Sequence, residues 1–297
     1  MKIYCCGSAN LDFVYRMPHF VRPGETIAAT ERSVYCGGKG LNQAIALARA
    51  GLSVSFVGRI GADGSQLLRR LSAEGIDTSL CQEVELPTGH AVIQVTDQGE
   101  NNIILFPGAN HSFTSKDPIE VLASAQHGDF LVLQNEVSCV NDFIVHGRAK
   151  GMKIIFTPSP MSEAVKSYSL EAVDFLFLNE VELKELTGFD SVDAGITSLG
   201  KRMPSSQIVV TLGEKGAVHW HQGTQIFQDA IEVKVVDTTA AGDTFLGFFM
   251  ASYLSGDSAR ASLERAAKAA SICVSRAGAS DSIPRLLELQ ESAARSK

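Results

Sequence analysis

Short runs of apolar and β-branched residues alternate along this chain with stretches of helical periodicity. Residues 2–6, 54–58, 130–134, 153–157, 175–178 and 207–211 read as strands covered on both faces, because each is almost continuously apolar. Between them, Leu41, Ile45 and Ala48 recur at helical spacing up to Gly51, and Leu67, Leu68 and Leu71 do so up to Gly75. Parallel strands need a crossover, usually a helix. The alternation therefore predicts an α/β fold: a doubly wound, mostly parallel sheet with helices on both faces.

Two regions break the pattern. Residues 87–106 carry an apolar alternation, a turn at Asp97-Gln98-Gly99-Glu100, and a second apolar run, Ile103-Ile104-Leu105-Phe106, which together read as a β-hairpin. Residues 24–36 carry extended stretches at 27–30 and 34–36. Neither region has a helix to cover a parallel strand. They predict a small antiparallel β lid, with strands drawn from about 10–36 and 87–107. Beside a crevice, such a sheet serves as a lid, as a dimer surface, or as both. Residues 217–221 and 224–228 flank Gln222-Gly223 as an edge hairpin, and helices follow near 243–254 and 258–275. The tail past Leu289 is expected to fray.

Charge narrows the partners. Among 297 residues, 26 Lys plus Arg stand against 33 Asp plus Glu, a formal charge of −7. That argues against nucleic acid and against an anionic membrane surface, which need a basic stripe. It leaves room for a small anionic ligand in one positive pocket. The six cysteines, Cys5, Cys6, Cys36, Cys81, Cys139 and Cys273, contain no Cys-x-x-Cys spacing and read as free thiols. No apolar run approaches the roughly 18 residues of a membrane span, and the first residues lack a signal-peptide core. The expected location is cytoplasmic.

Several common chemistries have no support. There is no P-loop, no Gly-x-Gly-x-x-Gly, no His-Glu-x-x-His and no Gly-x-Ser-x-Gly. The strongest positive feature is Asp237-Thr238-Thr239-Ala240-Ala241-Gly242-Asp243-Thr244-Phe245. Small residues before an aspartate that opens a helix let the N–H groups of Ala241, Gly242 and Asp243 converge on one concavity. A helix N-terminus there favours an oxyanion or phosphate. A plain N-cap would not need the small residues. A carboxylate beside such a hole suits proton removal from a hydroxyl that attacks a phosphoryl group.

Four weaker features accompany it. Cys36-Gly37-Gly38-Lys39-Gly40-Leu41-Asn42-Gln43-Ala44 leads glycines into a helix, with Lys39 and Asn42 on one side of its first turn. It suits a polyol or phosphate, and equally a tight strand–helix turn. Asn10 and Asp12 follow the first strand, where open α/β sheets bind ligands, or where a capping turn sits. Asn179 and Glu182 follow another strand; such a pair can hold hydrated Mg²⁺ beside a polyphosphate or simply start a helix. Thr211-Leu212-Gly213-Glu214-Lys215-Gly216 can cradle a nucleotide or turn into the edge hairpin.

As a set, these motifs resemble those of the PfkB, or ribokinase-like, carbohydrate kinase family, and they run from residue 7 to about 284. Residues 37–44 and 237–245 resemble the family's two signatures. The resemblance implies one kinase domain over 1–297 and ATP-dependent transfer of the γ-phosphoryl group to the terminal hydroxyl of a pentose. Further details favour D-ribose, giving ribose 5-phosphate. They are Gly7 to Asp12, Arg22 to Thr26, Gly99 to Asn101, Pro107 to Asn110, and Gln134 with Glu136. By the same resemblance Asp243 is the base, and Ala241 and Gly242 line the anion hole. Asn10, Asp12, Gly38, Lys39, Asn42 and Glu136, together with Asp243, hold the sugar. Asn179 and Glu182 serve Mg²⁺ and phosphate, with Asn179 and Gly242 also contacting the nucleotide alongside Thr211, Gly213, Glu214, Lys215 and Gly216. Asp237, Thr239, Cys273, Arg276, Gly278 and Ser282 match an activating K⁺ site built mostly from carbonyls. A homodimer joined through the lid sheet is also implied. The chain departs from the family pattern at Thr157-Pro158-Ser159-Pro160 and at Ala267-Lys268. Rival readings change the substrate to fructose, 2-keto-3-deoxygluconate, deoxyribose or a nucleoside, or drop catalysis for a sugar-binding regulator. The intact Asp243, Gly242, Asn179 and Glu182 argue against the regulator.

Overall fold

The computed structural model of the chain describes residues 1–289; the expected fraying past Leu289 lies outside them. From β1 (Ile3–Cys6) the chain leaves for a second sheet through β2 (Asn10–Met17) and β3 (Glu31–Gly37), then returns in α1 (Lys39–Arg49). β4 (Val54–Ile60), α2 (Ser65–Ala73) and β5 (Asp77–Glu83) follow. A second excursion makes β6 (Gly89–Thr96) and β7 (Asn101–Phe106). Next come α3 (Asp117–Val121), β8 (Phe130–Gln134), α4 (Val140–Ala149), β9 (Lys153–Thr157), β10 (Phe175–Asn179), α5 (Glu180–Thr187) and α6 (Val192–Arg202). β11 (Gln207–Thr211), β12 (Ala217–His221), β13 (Thr224–Gln228), α7 (Ala241–Leu254) and α8 (Ala259–Val274) complete the described chain.

The main sheet has nine strands in the order β13-β12-β11-β10-β9-β8-β1-β4-β5. It is parallel from β11 to β5, and the β12–β13 hairpin adds an antiparallel edge. Strand order reverses around β1, the kind of switch point at which open α/β sheets form ligand crevices. Side chains alternate across the sheet. Cys5, Phe56, Val132 and Val209 pack under α1, α7 and α8, while the neighbouring Cys6, Val57, Leu133 and Val210 pack on the opposite face. All six cysteines are free. α7 is apolar nearly all round because it is enclosed: Phe245, Leu246, Phe248, Phe249 and Met250 are buried. Each such side chain stabilises the fold by about 1.5–3 kcal/mol. No described helix is long and apolar enough to cross a membrane.

The lid is a four-stranded sheet in the order β3-β2-β6-β7. Its outer pairs are antiparallel, as the hairpin pattern requires, and the central β2–β6 pair is parallel. Four chain crossings join it to the body, tied in two pairs. In the first, Leu41 N–H donates to Ser8 O at 2.9 Å; in the second, Ala109 N–H donates to Pro87 O at 2.8 Å. Two details differ from the sequence expectation. Residues 27–30 form a loop, and the lid strand begins only at Glu31. β5, a polar Asp-Thr-Ser-Leu-Cys-Gln-Glu segment, is an edge strand of the main sheet and shows no apolar run by which to recognise it.

Candidate active site

Two helix N-termini meet at the carboxyl ends of the main strands. α1 and α7 approach so closely that a Cβ on Gly247 would lie 2.6 Å from Ala46 Cβ. This contact brings Asp243, in the first turn of α7, to the first turn of α1. Asn42 Nδ2 donates to Asp243 Oδ2 at 3.4 Å, and Gln43 Nε2 donates to Asp243 Oδ1 at 2.9 Å. Asp243 is 9% exposed. Burial pushes its carboxyl above the ordinary aspartate range; the Lys39 charge and these two amide donors pull it back, and the Glu136 carboxylate adds to the rise.

Ala240 sits just before α7 in the left-handed region, at φ 62°. A non-glycine residue there is strained, and it turns the chain abruptly into the helix. The expected anion hole is reduced by one donor. Ala241 N–H is taken by Thr238 O at 3.2 Å. The N–H groups of Gly242 and Asp243 have no acceptor among the described residues. A Cβ on Gly242 would meet nothing within 4 Å, so packing does not demand glycine at that position.

The lid contributes Asp12 on β2. Burial, with the Glu136 carboxylate nearby, pushes its carboxyl up to about 7. Glu136 accepts from the Ser8 hydroxyl and from Lys39 N–H, the latter at 3.0 Å. Burial alone would lower the Lys39 ammonium, but the surrounding Asp243, Glu136 and Glu182 carboxylates outweigh it and raise it. Lys39 is therefore a held positive charge among acids. Gly38, at φ 92°, permits the sharp entry into α1. Asn10 Oδ1 accepts from Asn110 Nδ2 at 2.7 Å, and Asn110 Oδ1 accepts from Ala9 N–H at 3.1 Å.

A cleft of about 1060 Å³ lies between lid and body. Its walls include Asn10, Asp12, Gly38, Lys39, Asn42 and Glu136, together with Asn179, Glu182, Thr211, Asp237, Thr239, Ala241, Gly242, Asp243 and Gly278. The rest of the expected set is placed differently. Gly213, Glu214, Lys215 and Gly216 form a tight turn after β11 that does not line the cleft; Lys215 pairs with Glu180 at 3.5 Å, and Gly216 packs against the end of β13. Asn179 and Glu182 form a reciprocal helix cap, Glu182 N–H to Asn179 Oδ1 at 2.8 Å and Asn179 N–H to Glu182 Oε2 at 2.9 Å. The helix-start reading of that motif holds, and both residues still face the cleft.

The loop around Asp237 is tightly gathered. Asp237 Oδ1 accepts from Thr239 N–H at 2.9 Å, and its Oδ2 accepts from Gly278 N–H at 3.0 Å. Cys273 Sγ lies 3.6 Å from Thr239 O and 3.1 Å from Ser282 Oγ. The Arg276 guanidinium turns away to Glu288. Sequence reasoning assigned no role to Gln43, Asn110 or Ser8. All three stood inside motifs already quoted, but their partners are 200, 100 and 128 residues away. On the lid, Ile93 faces the cleft, whereas the rings of His90 and Phe106 lie against each other outside it, tilted by 36° with 5.1 Å between centroids.

Comparison with known proteins places the chain in a family. The model of the pfkB family of carbohydrate kinases matches residues 1–286. A ribokinase from Haemophilus influenzae is 34% identical, with 96% of each chain covered. A deoxyribokinase from Salmonella typhi is 31% identical, with 98% of each covered. The structure of Arabidopsis thaliana ribokinase complexed with ribose and ATP superimposes with a TM-score of 0.87 at 31% identity, covering 98% of this chain and 97% of that one. The chain, matched by the family model over nearly its whole length and by full-length relatives, belongs to the pfkB family of carbohydrate kinases.

Proposed function

We propose that this chain is a ribokinase, an ATP-dependent kinase that transfers the γ-phosphoryl group to the terminal hydroxyl of D-ribose. The observation that carries the reading is the position of Asp243: a buried carboxylate at the floor of the cleft, beside two helix N–H groups with no acceptor among the described residues. Relatives named ribokinase, one of them complexed with ribose and ATP, support the sugar.

In this reading Asp12, Asn10, Asn42, Lys39 and Glu136 bind the sugar hydroxyls and orient the terminal one toward Asp243. Gly38 lets the sugar approach the α1 backbone. Asp243 accepts the proton of the attacking hydroxyl. The N–H groups of Gly242 and Asp243, with Ala241 beside them, stabilise charge on the transferred group. The nucleotide lies along Asn179 and Thr211 and extends beyond the cleft wall to the turn of Gly213, Glu214, Lys215 and Gly216. The donor chemistry of Glu182 and Asn179 fits Mg²⁺ held through water, since Glu182 is a fixed carboxylate at the cleft wall. Bound there, Mg²⁺ would neutralise polyphosphate charge. The gathered loop of Asp237, Thr239, Cys273, Gly278 and Ser282, with the Arg276 backbone, fits a monovalent cation such as K⁺, which would add positive charge beneath α7.

The deciding experiment follows ATP consumption with ribose, deoxyribose, fructose, 2-keto-3-deoxygluconate and nucleosides. Turnover highest on ribose supports the reading; turnover confined to another acceptor moves the substrate and keeps the site. A cytoplasmic location and a homodimer through the lid belong to the same reading. Ile103, Ile104, Leu105 and Phe106 are exposed along the edge strand β7, an apolar row open to a second copy. Light scattering should give twice the chain mass, and Ile104→Lys should give the monomer.

A further inference from the structure

Asp243 is held by a relay of buried amides. Gln43 Nε2 donates to Asp243 Oδ1 at 2.9 Å, and Gln134 Nε2 donates to Gln43 Oε1 at 2.7 Å. Gln43 also reaches Thr157 Oγ1 at 3.4 Å. Gln43 and Gln134 are 1% and 0% exposed. The four residues come from α1, α7, β8 and β9, so the relay ties together the elements that form the floor of the cleft.

The relay has one orientation. An ionised carboxylate can only accept, so Gln43 must turn its NH₂ to Asp243. Its oxygen then faces Gln134, which must turn its own NH₂ inward. That leaves Gln134 Oε1 buried with no hydrogen-bond partner among the described residues. It is pressed against Gly7, where a Cβ would lie 1.9 Å from it. Buried amide oxygens are seldom left unpaired. A residue needed only for packing between α1 and β8 would be served better by Met or Leu. The unpaired oxygen follows from lining up two amides head to tail, the first on the carboxylate and the second on the first.

Resting on the reading of Asp243 as the base, we propose that Gln43, braced by Gln134, is a positioning residue. It pins Oδ1 of Asp243 and leaves Oδ2, held among the described residues by Asn42 alone at 3.4 Å, as the oxygen that takes the proton of the acceptor hydroxyl.

Gln43→Met keeps length and bulk and removes both donors. It is expected to lower kcat by about tenfold to a hundredfold, the loss of one hydrogen bond to a charged group. The KM for the sugar should change by less than about threefold. The acid limb of kcat should move up by about one pH unit, because the ionised carboxylate has lost a donor. Gln134→Met should change kcat and the limb in the same directions by less, and it carries the test if Gln43→Met does not fold. Asp243→Asn and thermal melts of every variant run alongside. An inactive Asp243→Asn together with a Gln43→Met whose pH limb and kcat are unmoved, its melting temperature lowered, overturns the positioning role and leaves the base standing. An Asp243→Asn enzyme with wild-type turnover removes the base and the proposal with it.

Discussion

The carboxylate of Asp12 occupies the space that a side chain on Gly37 would need. A Cβ there would lie 2.0 Å from Asp12 Oδ2. The two residues are diagonal neighbours across the β2–β3 pair, Asn10 standing opposite Gly37 and Asp12 opposite Tyr35. Gly37 is thus part of how Asp12 is aimed into the cleft. Gly37→Ala should raise the KM for the sugar by about tenfold or more, the loss of a hydrogen bond to a charged group, and leave the KM for ATP nearly unchanged. Initial-rate kinetics with each substrate varied in turn checks this.

Asp12 also predicts a pH dependence. With its carboxyl pushed up to about 7 by burial and Glu136, it gains a proton as pH falls from 8 to 6 and loses acceptor capacity. Sugar affinity should weaken over that range, and Asp12→Asn should flatten the profile. The sugar-free fold responds in the opposite sense. A carboxyl raised in the folded state contributes stability at low pH that is lost as pH rises through its folded value. Melting temperatures of Asp12→Asn relative to wild type should therefore be higher at pH 8 than at pH 5.

Asp243→Asn retains the shape of the side chain and removes the proton acceptor. Turnover should fall by roughly 10²–10⁴, the usual worth of a general base. The dissociation constant for the sugar, measured by calorimetry, should move by less than about threefold.

A stability prediction concerns the loop that carries Ser282. Arg49 donates to Ser280 O and Ile283 O and pairs with Glu74 at 2.6 Å; the Glu74 side chain is 2% exposed. Burial would raise the Glu74 carboxyl, but Arg49, Arg285 and Arg70 together hold it low. Arg49→Met removes the most buried of these partners. Arg70 and Arg285 still compensate Glu74, so the cost is that of a lost hydrogen bond to a charged group, about 1.5–3 kcal/mol, which chemical denaturation should report. Monovalent-cation activation should weaken in the same variant.

Much of the frame was legible because its causes are local. An apolar run such as Phe130–Gln134 needs cover on both faces, which a parallel sheet between helices supplies, and the small residues before Asp243 fix a turn within a few positions. β5 was not legible, since an edge strand that faces water needs no apolar pattern. Nor was the loss of the Ala241 donor, which depends on a single carbonyl three residues back. Gln43 and Asn110 escaped for the opposite reason. Their meaning lies in partners that only the closed fold brings within reach: Asp243 for one, Asn10 for the other.

The two tied pairs of lid crossings have a mechanical consequence. Each pair acts as a pivot, and two pivots define an axis. Asn110 links them rigidly, donating to Asn10 at one pivot from its own place beside the other. A flap mounted in this way would turn about that axis like a door and would slide only by stretching one hinge. The separation between Asp12 on the flap and Asp243 on the frame therefore depends on a single angle. The cleft gauges what lies between those two carboxylates by how far the door can shut.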